Sequence, residues 1–445
     1  MLMQNERLPW ILGCLQVLLL ALIFGCTTYQ DDIASGYSLG EYAIFRDILV
    51  MLLIGFGFLM SFLHKYGLGA VGFTLMLTAL SMQLNILVEL LCRYMNEPSH
   101  VEFPHPIHLT TLVDAEFAAA TLLISFGAII GRASPLQLIV MTLMQSFFYA
   151  LNKVVIVLGA WKAEDVGGTI TIHMMGAYFG MGVSRVLGEP KGRSKVNADS
   201  SAVSDVMGLI GTTILWVYWP SFVGATETAN PATEHLCIMH TVLALLGSTV
   251  ATFCFSSRWT QGNKFDPVHV ANATLAGGVA IGASARLEMT PGGALLLGIL
   301  AGGLSTFGYA YGTPFCEDYL KMFDTCGVHN LHGLPSVLGG LASAIFVAID
   351  DDAEFLHNDG IPQPVRQILA VLTTIALAVS SGFLTGIAMK FATLGEASFV
   401  EEYNDAMWWE GCYMQAMPQD ELDLSAKSKA SISPIVIVAE EEADA

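Results

Sequence analysis

Apolar residues gather into runs of membrane length, separated by short polar stretches, from one end of the chain to the other. A helix crosses the hydrocarbon core of a bilayer with about 20 apolar residues, so these runs predict transmembrane helices. Twelve are expected, at residues 9–26, 47–63, 68–91, 109–131, 136–159, 168–186, 205–225, 233–255, 267–285, 290–312, 329–349 and 363–391. The first follows Arg7 and has the outline of a signal peptide. It lacks a convincing small-residue cleavage site and is read as a span. An even number of spans puts both termini on one side of the membrane. The strand-type alternation of an outer-membrane barrel is absent.

Composition agrees. Of 445 residues, 54% are hydrophobic and only 13% charged, where a water-soluble chain carries about 25% charged residues. The chain is thus an all-α polytopic membrane protein. Two domains are expected: 1–392, a transmembrane channel-like domain, and 393–445, an acidic tail. That tail holds 12 acids and 2 lysines, half of the net charge of −20, and reads as a solvated segment. No basic cluster points to nucleic acid. The eight cysteines show no CxxC spacing and read as small buried residues.

Charge bias sets the orientation. With the N-terminus cytoplasmic, Arg7, Lys65, Arg132, Arg185, Lys191, Arg193, Lys195, Arg258, Lys264, Lys321 and Lys390 lie inside, eleven against five outside. This obeys the positive-inside rule. The outer loops are acidic, as at Asp31, Asp32 and Asp350 to Asp352.

The chemistry concentrates in two glycine-rich stretches, DVGGTITIHMMGAYFGMG from Asp165 and DTCGVHNLHGLPSVLGG from Asp324. Each buries a histidine within a span, where an ionisable group marks a functional site by default. His173 and His332 are 159 residues apart, one in each half, which suggests a duplicated architecture with a site near the midplane. Neutral imidazoles offer a donor and an acceptor each, and such a lining suits a small neutral polar molecule. The alternative for either ring is a buried histidine bonded to a backbone carbonyl. Asp165 lies eight residues before His173, ~12 Å along a helix. It suits an N-cap, and also a role at the mouth towards a cation. His329, three residues before His332, makes a second candidate for the pair or for a metal site. Glu116 is a further intramembrane acid. Phe117 and Phe222 read as ordinary apolar positions by periodicity alone.

Several long motifs in order give a resemblance. FRDILVMLLIGFGFLMSFLHKYGLGAVGF from Phe45, the Asp114 to Arg132 segment, TIHMMGAYFG, ILWVYWPSF, KFDPVHVANATLAGGVAIG and DTCGVHNLHGLPSVLGG resemble a Rh-type (Rhesus glycoprotein-like) member of the ammonium transporter (Amt/Mep/Rh) family. The resemblance covers most of residues 9–345. It implies inverted pseudo-twofold halves and a homotrimer with one hydrophobic pore per protomer. It also implies an outer gate of Phe117 and Phe222, pore histidines at His173 and His332 rather than His329, and a vestibule acid at Asp165. A tryptophan typical of the bacterial branch has no counterpart between Lys153 and Gly159, and Ser336 stands where glycine is usual. The sequon Asn272-Ala273-Thr274 falls at the start of a predicted span.

The function these features imply is a plasma-membrane channel that passes ammonia, recruited as ammonium. It would be no enzyme and would have no catalytic residue, cofactor or metal. CO2 permeation on the same scaffold is an alternative. So is an ammonium sensor or scaffold whose acidic tail signals to cytoplasmic partners. A metalloenzyme built on His329 and His332 is the remaining rival.

Overall fold

The computed structural model describes residues 2–29, 39–190, 197–350, 360–392, 402–410 and 412. Asp31, Asp32, Asp351, Asp352, Lys191, Arg193, Lys195 and most of the 393–445 tail lie outside the described residues. Two units divide the chain, Met1–Asp405 and Ala406–Ala445.

Among the described residues, ten helices are long and apolar enough to cross a membrane. They are α1 (Arg7–Cys26), α2 (Gly40–Phe62), α3 (Gly67–Asn96), α4 (Leu109–Ile129), α5 (Pro135–Trp161), α7 (Ala202–Gly224), α8 (Pro231–Trp259), α10 (Pro291–Leu320), α11 (His329–Ile349) and α12 (Gln363–Ala392). The two remaining expected spans are helical in pieces. We label α6 the wide π-helical turn Thr169–Met174 continued by Met175–Leu187, and α9 the short helices Pro267–Ala273 and Ala276–Ile281. Two short parallel strands, Thr27–Tyr29 and His105–Ile107, pair between the spans.

Local sequence explains several helix starts. Ser134 caps α5, accepting from the backbone N–H of Gln137 while the Gln137 side chain accepts from Ser134, a reciprocal box followed by Pro135. Asp266 caps α9 through the N–H groups of Val268 and His269. In lipid no hydrophobic force drives helices together, so close backbone approach by small residues must. Gly298 on α10 shows the consequence: a Cβ there would sit 2.0 Å from the Ala244 carbonyl oxygen of α8. The first helix lies at the periphery. It packs Leu15 and Leu19 against Leu80 and Leu84 of α3, and Gln16 donates to Gln83.

Residues 402–405 close the first unit. The Tyr403 N–H donates to the Gly131 carbonyl at 2.8 Å, and the Tyr403 ring is buried. The Asp405 carboxylate accepts from the N–H groups of Leu68 and Gly69 at 2.7 and 2.6 Å, capping the start of α3. Burial raises the pKa of this carboxyl, and the two N–H donors partly offset that.

Candidate functional site

Asp165 and Asp324 each end a loop by capping the wide turn that follows. Asp165 accepts from the N–H groups of Ile170 and Thr171 at 2.9 and 2.7 Å and from the Thr171 hydroxyl at 2.7 Å. Asp324 accepts from the N–H groups of Val328 and His329 at 3.0 and 2.8 Å. Each loop turns through a left-handed glycine, Gly168 at φ 70° and Gly327 at φ 71°, where a side chain would be strained. Both wide turns then carry a histidine eight residues after the aspartate, His173 and His332. The same 159-residue offset therefore relates aspartate, glycine and histidine.

The two histidines meet. His173 Nδ1 lies 3.2 Å from His332 Nδ1, and the two rings meet edge to edge, nearly coplanar, with 5.1 Å between centroids and 9° between planes. Contact between the same atom of equivalent residues is what a pseudo-twofold between the halves produces. Both side chains are buried. Trp219 of α7 lies nearly parallel to His173 with 5.5 Å between centroids, and Phe56 of α2 nearly parallel to His332 at 6.2 Å. Aromatic rings thus flank both histidines. His173 Nε2 is buried with no partner among the described residues, which leaves it free to serve a third group.

Phe117 and Phe222 also come together, edge to face at 5.0 Å. Phe222 lies 5.8 Å from His173, and both phenylalanines are buried. Phe117 and Asp165 line a cavity of about 280 Å³, which Asp114, Lys153, Glu164, Glu227 and Arg286 also border. On the other side of the pair, His332 and Phe56 line a narrow cavity of about 20 Å³ with Leu123, Val328 and Leu331. The order is polar cavity, phenylalanine pair, histidine pair, apolar cavity.

The other candidates lie apart from this line. His329 packs edge-on against Tyr178 at 5.7 Å and borders neither cavity. No group of three or more metal-type side chains occurs among the described residues. Glu116 is fully buried, and neither carboxylate oxygen has a partner among the described residues.

Three residues at the site are not singled out by the sequence. Asp324 was signalled by the 159-residue offset that already linked the histidines. Lys153 was signalled by being a cation inside a predicted span; it forms an ion pair with Asp114 at the cavity wall. Trp219 carried no signal, since an aromatic in an apolar helix is usually packing.

A path of this kind, built from two equivalent broken helices in a polytopic bundle, defines a membrane transporter. A model of the Ammonium Transporter Family matches residues 10–405, and the chain belongs to that family. It is 40% identical over 392 residues to ammonium transporter Rh type B of Xenopus tropicalis, covering 83% of this chain and 82% of that protein. To ammonium transporter Rh type C of Homo sapiens it is 36% identical over 387 residues, covering 83% and 79%. Among solved structures, Nitrosomonas europaea Rh50, of the Rhesus family of channels, matches with a TM-score of 0.72 at 34% identity. That match covers 88% of this chain and 98% of that one. The resemblance to the Rh branch is thereby a membership.

Proposed function

We propose that the protein conducts ammonia as the neutral base. Ammonium enters the 280 Å³ cavity beside Asp165, gives up its proton to water there, and NH3 passes the Phe117–Phe222 pair to the histidines. The observation that carries this reading is the His173–His332 pair, 3.2 Å apart, buried and walled by Trp219 and Phe56. Moving a charged ion into such an environment is expensive. A neutral molecule that both donates and accepts replaces its water bonds there at little cost. The phenylalanine pair excludes water without offering any polar group that would hold the substrate. Asp165 acts chiefly by fixing the wide turn that aims His173, since each of its oxygens already accepts from the backbone.

The same reading places both termini in the cytoplasm of a plasma membrane, residues 393–445 as an acidic cytoplasmic tail, and the protomer in a homotrimer. It leaves the chain without enzymatic activity. Stopped-flow measurement on proteoliposomes holding a pH dye tests the transport claim. An inward ammonium gradient should alkalinise the lumen faster than in empty liposomes, and His173→Ala should remove most of the gain. A rate equal to that of empty liposomes sinks the proposal. An acid transient under a CO2 gradient, with no ammonium response, would move the assignment to CO2.

A further inference from the structure

Beside the ammonium cavity lies a second, larger one of about 460 Å³, lined by Asn85, Glu89, Arg93, His105, Asp114 and Lys153 among others. Asp114, Lys153 and Leu158 border both cavities, so these three side chains form the partition between them. Their cluster is unusual for a membrane interior. Lys153 is only 9% exposed, and Nζ lies 2.5 Å from Asp114 Oδ1 and 3.4 Å from each Glu89 oxygen. Arg93 holds the outer side, its Nη2 2.6 Å from Glu89 Oε1 and 3.6 Å from Asp114 Oδ2. Two cations balance two carboxylates.

Asn85 adds an independent observation. It is 1% exposed, its amide nitrogen donates to Glu89 Oε2 at 3.1 Å, and its Oδ1 is buried with no partner among the described residues. Beside Arg93, the wall therefore offers two carboxylates and an uncommitted carbonyl oxygen as acceptors. Its present occupant is a primary ammonium group with three N–H donors. Removing a cation from a buried, paired set leaves an uncompensated charge that must find another cation.

We propose that Glu89 and Asp114, with the open Asn85 Oδ1 beside them, form an ammonium-binding site, and that Lys153 occupies its two carboxylates as a tethered ammonium. Lys153 is held against these carboxylates by its own chain, so its ammonium group competes for them without the translational entropy that free ammonium loses on binding. Lys153 thereby keeps the adjoining cavity from holding its substrate tightly. Two of the cavity's other acids are committed as well: Glu164 pairs with Arg286 at 2.5 Å, and Asp165 caps its turn. Lys153 is a specificity-setting residue that trades affinity for unobstructed entry. This rests on the reading of the 280 Å³ cavity as the ammonium entrance.

The test combines transport and binding on the full chain. Lys153→Met should lower the half-saturating ammonium concentration of the proteoliposome pH transient by at least tenfold. Adding Asp114→Asn to it should abolish that gain, because one carboxylate is then balanced by Arg93. In detergent, ammonium chloride should raise the melting temperature of K153M above that in equal tetramethylammonium chloride, and should not do so for the wild type. Should K153M fail to fold, Lys153→Gln is measured in the same way. Equal half-saturation in the wild type, K153M and K153M/D114N overturns the proposal, as does equal stabilisation of wild type and K153M by ammonium. A wild type with no ammonium transient would instead defeat the channel reading, and the melting comparison would still decide the cation site.

Discussion

At the scale of single residues, the site is built from side chains whose partners identify their work. Asp165 satisfies two backbone donors and one hydroxyl, so Asp165→Ala should cost about 2 kcal/mol, near the upper end for a lost cap. Thermal melting in detergent checks this, with Thr171→Val as the milder comparison. Unchanged stability with transport lost would make the acid a participant in recruitment rather than a cap. Glu116 presents the opposite case. Its carboxyl is buried with no partner among the described residues, and replacing such a group by an apolar one of similar size is neutral or stabilising. Glu116→Met should keep or raise the melting temperature, and a marked fall would reveal a bond made in the assembled membrane protein.

At the scale of elements, hydropathy located the helices well because a membrane imposes one length on each. It did not show where helices break. The segment expected at 267–285 divides into Pro267–Ala273 and Ala276–Ile281. Mean hydropathy is indifferent to that. The segment expected at 168–186 opens with a wide turn that places His173, again without a hydropathy signal. His173 and His332 were legible because a titratable group in an apolar run stands out, and their shared offset also encoded Asp324 and Gly327. Trp219 was not legible, because its role comes from packing across helices. The wide turn depends on Gly168: a Cβ there would lie 2.3 Å from Ile172 Cδ1, at φ 70°. Gly168→Ala should therefore cost at least about 1 kcal/mol and slow ammonium transport by misplacing His173. A variant with wild-type melting and transport would show that the turn tolerates another path.

At the scale of the whole molecule, the first unit ends in residues that the sequence assigned to a solvated tail. Tyr403 and Asp405 bond to Gly131, Leu68 and Gly69, and the family match also runs to residue 405. A truncation at residue 393 removes these contacts together with the rest of the tail, and so confounds stability with signalling. Removing 411–445 should leave transport and melting near the wild type, whereas Asp405→Ala should lower the melting temperature. Loss of transport on removing 411–445 alone would favour the sensor reading.

The central claim is that the substrate crosses the histidine pair uncharged. Recording transport current and luminal pH together, on the same proteoliposomes under an ammonium gradient, tests it most directly. Alkalinisation should run faster than in empty liposomes, with no current that scales with ammonium flux. A current rising in proportion to that flux would contradict it.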